Sequence, residues 1–127
     1  MINLPKVLVG EFVDAVVQDR DRAKHLLSKH PQLINARWIH HETVLHFLAV
    51  EGYIDGVRFL AELGADVNIE NEFGDTPLID VAVLGNVEVA QILLHHGANT
   101  NTHCETRNNP LDCAVRYGSV RLVSLLL

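Results

Sequence analysis

Aromatic side chains are scarce in this sequence: one Trp, two Tyr and four Phe among 127 residues. Yet 48% of the residues are hydrophobic, so a core has to be assembled chiefly from Leu, Val, Ile and Ala. That mixture suits closely packed helices better than a sandwich of strands, and so much apolar content excludes wholesale disorder. Cysteine is sparser still. Cys104 and Cys113 alone cannot build a disulfide framework, which excludes the small disulfide-stapled class and fits reduced thiols in a cytoplasmic protein.

Positive charge is also in deficit. Ten Lys and Arg against 16 Asp and Glu leave a formal charge of −6. Nucleic acid, held through phosphate neutralisation, is disfavoured, and so is docking on an anionic membrane. No apolar run approaches the roughly 18 to 20 residues of a spanning helix. The opening stretch MINLPKVLVGEFVDAVV meets Glu11 and Asp14 too early for a secretion signal. A chain of this length amounts to one domain, or a portion of an extended array.

What the sequence does contain is repetition. GDTPLIDVAVLGN (Gly74 to Asn86) opens like a short helix, with Thr76 as cap, Pro77 in the first turn and Gly85 at the end. Isolated helices so short are marginal in water, so another element must pack along it. One step back, Thr43, Leu45, Ala49, Gly52 and Leu60 fall on Thr76, Leu78, Ala82, Gly85 and Leu93. One step forward, Pro110, Leu111 and Gly118 fall on Pro77, Leu78 and Gly85. Two steps back, Phe12, Val16, Leu27 and Asn35 fall on Leu45, Ala49, Leu60 and Asn68, with Asp19 in place of the turn glycine.

The chain therefore reads as four ungapped copies of one unit, at about 1–37, 38–70, 71–103 and 104–127, the first degenerate and the last cut short. Each copy is a pair of short helices. In the third copy these cover about 76–84 and 87–96, with apolar residues at three- and four-residue spacing. No unit can bury its apolar stripe alone, whereas stacked units build one continuous core.

GDTPLIDVAVLGNVEVAQILLHHGANTN resembles the ankyrin repeat family's pattern, and the resemblance covers about residues 10–127. The departures are Ile79 and Asp112 at the family's histidine position and Val44 at its proline; His46 keeps the histidine. The resemblance implies an all-α solenoid of about four helix-turn-helix units. It implies fingertip turns and a concave inner-helix face that bind partner proteins. It also gives His46 a structural role, bonding neighbouring backbone and holding the turn.

Carried onto this chain, the tips are Trp38, Ile39, His40 and Glu42, then Asn71, Glu72, Phe73 and Asp75, then Glu105, Thr106 and Asn108. The inner helices add Phe47, Val50 and Glu51, then Asp80, Val83 and Leu84, then Cys113, Arg116 and Tyr117. Trp38 and Phe73 are expected at solvent-facing tips, either as interface anchors or as lids folded over a neighbouring tip. Glu70, Glu72, Asp75 and Asp80, flanked by Glu51 and Glu105, read either as a strip that steers a basic segment or as solubilising charge. Arg20, Arg22, Lys24 and Lys29 are expected on a solvated rear face.

Catalysis finds no support, and neither metal nor cofactor is expected. Eight histidines invite a metal reading, but the adjacent His95 and His96 point about 100° apart on a helix and cannot easily share an ion. His at a helix C-terminus is favoured by the dipole in any case. Cys104 and Cys113 lack the oriented base that a nucleophile needs. No phosphate loop, HExxH or GxSxG occurs. The expected role is a non-catalytic protein-binding module. The alternatives are a scaffolding slice of a longer array, or an inhibitory partner of an enzyme or toxin. The apolar ending VRLVSLLL leaves core positions uncovered and suits truncation or end-to-end self-association.

Overall fold

The computed structural model describes residues 4–102 and 109–127. Within them lie eight α-helices: α1 (Lys6–Gln18), α2 (Arg20–Lys29), α3 (Val44–Glu51), α4 (Ile54–Glu62), α5 (Pro77–Leu84), α6 (Val87–His95), α7 (Pro110–Arg116) and α8 (Val120–Leu126). They pair in chain order, α1 with α2 through α7 with α8, and the pairs stack so that α3, α5 and α7 form an inner row. α4, α6 and α8 form the outer row. The described tips of units two and three therefore project as hairpin fingers between an outer and an inner helix.

Local chemistry explains the helix bounds. Thr43 and Thr76 cap α3 and α5 by accepting bonds from the His46 and Ile79 amides at 3.3 and 3.4 Å. Asn109 does the same for Asp112 at 2.9 Å on α7. Pro77 and Pro110 occupy the first turn, where no amide is needed. Gly85 ends α5 at φ 80°, a left-handed conformation that glycine adopts without the Cβ penalty. Asn86 then caps α6 through the Val89 amide at 3.1 Å.

The core runs the length of the stack. Phe12, Leu45, Leu48, Leu60, Leu78, Leu93 and Leu122 are each fully buried, every one contributing about 1.5–3 kcal/mol of apolar burial. Phe12 and Leu45 share a register position, as do Val16 and Ala49, and each pair is buried alike. Leu27, the counterpart of fully buried Leu60, is only partly covered. At the other end, Leu126 is partly covered where Leu93 is sealed, and Val120 is 78% exposed where Val87 is 7% exposed.

Unit one departs from the others in two ways. Asp19 does not imitate the turn glycine: it is extended at φ −149° and caps α2 by accepting from the Arg22 amide at 3.2 Å. α2 consequently starts one residue ahead of the register. α1 also runs five residues further towards the N-terminus than α3 does, so residues 6–10 are helical where the register would put a finger.

An asparagine ladder ties the outer turns together. Asn35 accepts from the Asp66 amide at 2.8 Å, and one unit on Asn68 accepts from the Asn99 amide at 2.7 Å. The alignment of Asn35 with Asn68 marks this ladder in the sequence, although its hydrogen bonds join neighbouring units and appear only on folding.

Candidate protein-binding face

The exposed side of the inner row is one helical face repeated. Phe47, Val50 and Glu51 on α3 stand three and four residues apart, so they share a face. Asp80, Val83 and Leu84 hold the same positions on α5, and Cys113, Arg116 and Tyr117 hold them on and just after α7. Glu51, Leu84 and Tyr117 thus form one row across the stack. Leu84 and Tyr117 are each 57% exposed, and Val50 is 39% exposed. Glu51 and Arg116 are exposed, whereas Phe47, Val83 and Asp80 are half-buried.

Cys113 departs from expectation. It is 3% exposed and packs with Ile79 and Ala82, because α7 turns that position towards α5.

Two fingers are described, and they share a backbone frame. In the first, the Trp38 amide donates to the Glu42 carbonyl at 2.7 Å; in the second, the Asn71 amide donates to the Asp75 carbonyl at 2.9 Å. Finger one turns on His40 and His41, both left-handed at φ 56° and 57°, conformations that carry a steric cost in residues bearing a Cβ. Finger two uses Gly74 at φ 80° where finger one has His41. Its turn is further held by the Asn71 side-chain oxygen, which accepts from the Phe73 and Asp75 amides at 2.9 and 3.0 Å.

Trp38 is not the open fingertip expected. It is half-buried, edge-on to Phe47 with centroids 5.1 Å apart. The helical residues of α1 explain this, since Gly10 lies against the indole and no further finger displaces it. Asp75 is likewise drawn inside at 2% exposure. Ile39, His40, Glu72 and Phe73 remain exposed, with Phe73 at 59%. The third finger's Glu105, Thr106 and Asn108, and the thiol of Cys104, lie outside the described residues.

His46 joins the fingers to the stack. Fully buried, its Nε2 lies 3.0 Å from the Asp75 carbonyl and its Nδ1 3.2 Å from the Thr43 hydroxyl. With Nε2 protonated it donates to that carbonyl, tying unit two to finger two. Burial lowers its pKa, opposed by the hydrogen bond to the Asp75 carbonyl and by the Asp75 charge, with the nearby Arg37 charge adding to the fall. Arg37 in turn donates to the Glu70 and His41 carbonyls, linking the two finger bases.

The acidic strip is smaller than the sequence implied. Glu51, Glu70 and Glu72 are exposed, but Asp75 is buried and Asp80 half-buried. Glu72 sits 3.7 Å from His40 across the fingers, an exposed pair worth about 1 kcal/mol or less. Partial burial raises the Glu42 pKa, with the Glu72 and Asp75 charges adding to the rise and His40 opposing it. On the rear face, Arg22 pairs with Glu11 and Asp14 at 3.9 and 3.7 Å, and Arg20 lies over Phe59. His95 and His96 end α6 with rings edge-to-face at 5.2 Å.

Stacked helical pairs with one register row turned outwards define a helical-repeat recognition scaffold. Residues 45–127 match the family described as ankyrin repeats (3 copies), and the chain belongs to the ankyrin repeat family. Such repeats generally mediate protein–protein interaction, and the family is typically non-catalytic. Over 62 residues the chain is 40% identical to the serine/threonine-protein kinase VIK of Arabidopsis thaliana. That stretch is 49% of this chain and 14% of the kinase, so this chain spans only a small part of that relative. Among the described residues no helix is long and apolar enough to cross a membrane.

Proposed function

We propose that this chain is a non-catalytic, cytoplasmic module that grips a partner protein between the inner-helix row and fingers one and two. The observation that carries this reading is the exposure of Leu84 and Tyr117 at one row position, with Val50 beside that row and Phe73 at a fingertip. Apolar and aromatic side chains left open on successive units, rimmed by Glu51, Glu72 and Arg116, have the make-up of an interface core and its polar rim. Glu51, Glu70 and Glu72 favour a partner segment carrying basic residues. Ile39 and His40 extend the contact along finger one, while Trp38, Phe47, Asp75 and Asp80 support it from beneath.

The test is capture from extract by the native chain, by a Leu84→Ala/Tyr117→Ala variant and by a rear-face Arg58→Ala control. A partner retained by the native chain and the control but lost from the double variant supports the reading. Recovery of the same proteins by all three refutes it. End-to-end contact through α8 is a second reading, favoured by Val120 at 78% exposure against 7% for its counterpart Val87. Sedimentation of Val120→Glu beside the native chain separates the two, because only this contact changes the oligomeric state.

A further inference from the structure

The helical start of unit one stands beside a cavity at the base of finger one. Residues 6–10 form the first turns of α1 instead of a finger, so the outer flank of finger one stays open. There a cavity of ≈ 660 Å³ lies between the start of α1, the 3₁₀ turn Pro31–Asn35 and the finger base. Lys6, Gln32, Arg37, Trp38, His41 and Ile69 line it, and among the described residues no Asp or Glu does. In a chain of formal charge −6, a cavity walled by cations and amides without a carboxylate runs against the protein's overall field.

We infer that this cavity binds an anionic group, a carboxylate or phosphate, carried on a flat apolar body. Lys6 and Arg37 supply the charge. Among the described residues neither has a carboxylate within ion-pair distance, so their positive charge is not already neutralised. Arg37 is fixed in place by the Glu70 and His41 carbonyls, which removes much of the entropy cost of aiming it. His40 also lines the cavity, and its Nδ1 lies 3.7 Å from the Glu72 carboxylate. The indole of Trp38, held by Phe47, forms a rigid wall for a flat apolar body, and Ile69 extends the apolar surface. A cavity of ≈ 660 Å³ falls in the ordinary range for small ligands, about 300–1,000 Å³. The site is separate from the inner-helix row, and the inference does not depend on the partner proposed above.

Trp38 is the sole tryptophan, so its emission reports occupancy. The full chain at neutral pH is titrated with benzoate, with phenyl phosphate, and with an Ala-Ala-Phe peptide bearing a free C-terminal carboxylate or its amide. Backbone amide shifts of Lys6, Ala36 and Ile69 are followed alongside. A saturable response to the anionic probes is expected, weakened about tenfold or more when the carboxylate becomes an amide. Lys6→Glu should weaken it by about fivefold or more; an acid in the first turn of α1 favours the helix, so the fold is kept. Arg58→Ala, remote from the cavity, should leave it unchanged. Peptide tighter than benzoate and phenyl phosphate identifies a chain terminus as the natural source, and the reverse identifies a small metabolite. No saturable response to any anionic probe at about 10 mM, equal binding of the amide, or indifference to Lys6→Glu overturns the inference.

Discussion

Fingers one and two have the same hydrogen-bonded frame and set different side chains at its equivalent positions. Finger one packs its aromatic, Trp38, onto Phe47 and holds out His40. Finger two draws its carboxylate, Asp75, inside and holds out its aromatic, Phe73. His40 and Phe73 hold equivalent exposed positions, while Trp38, Asn71, Glu42 and Asp75 are all at least partly buried. The frame therefore fixes which positions turn inwards, and the sequence decides which residue stands there. The neighbour sets how deeply the inward positions are covered: finger one lies against a helical unit with room for an indole, and finger two lies over the His46 ring, whose Nε2 meets the Asp75 carbonyl.

The largest effect should come from His46→Ala, which opens a core void and removes one of the two donors to the Asp75 carbonyl, leaving the Asn71 amide. A loss of about 2–4 kcal/mol is expected in urea unfolding. The native chain should also lose stability on acidification. The His46 pKa is lowered in the fold, so below its ordinary value of 6.5 the unfolded chain binds the extra proton first. Stability is thus present above pH 6.5 and lost as pH falls through the folded value, and this part of the pH dependence should vanish in His46→Ala. An unchanged pH profile would show that finger two is not tied through this ring.

Trp38→Ala comes next, at about 2 kcal/mol, because the indole is only half-buried. If it costs nothing, finger one is not anchored by its aromatic. His41→Gly should stabilise by up to about 1 kcal/mol, the relieved left-handed strain offset partly by glycine's greater unfolded freedom. The equivalent Gly74→Ala should destabilise, and similar signs for both changes would contradict the assigned turn geometries. Phe73→Ala is expected to change stability least, within about 0.5 kcal/mol, while lowering affinity for any partner that contacts the fingertips. Thermal unfolding and partner titration on the same samples separate those two outcomes.

Much of the helical plan is legible in the sequence. Thr76, Pro77 and Gly85 announce α5, and the helix runs between them; the expected second helix at 87–96 appears as Val87–His95. The burial of Leu45, Leu60, Leu78 and Leu93 follows from their recurrence alone. The site was only partly legible. Leu84 and Tyr117 are as open as the helical spacing implies, yet Cys113, in the same pattern, is sealed against Ile79 and Ala82. A position on a helical wheel specifies a direction, not what lies in that direction. Asp19 shows the same limit: short and polar, it could serve a turn or a cap, and α1 and α2 meet so closely that it does the second.

By itself the sequence determined the unit, its caps and the rows of side chains that stacking would seal. These depend on contacts between residues three or four apart, or on the exact recurrence of one pattern. Only the tertiary structure decided that Trp38 and Asp75 turn inwards, and that a cation-lined cavity opens beside α1. How deeply a finger's inward positions are covered depends on what the adjacent unit offers, and that neighbour arrives only when the stack assembles.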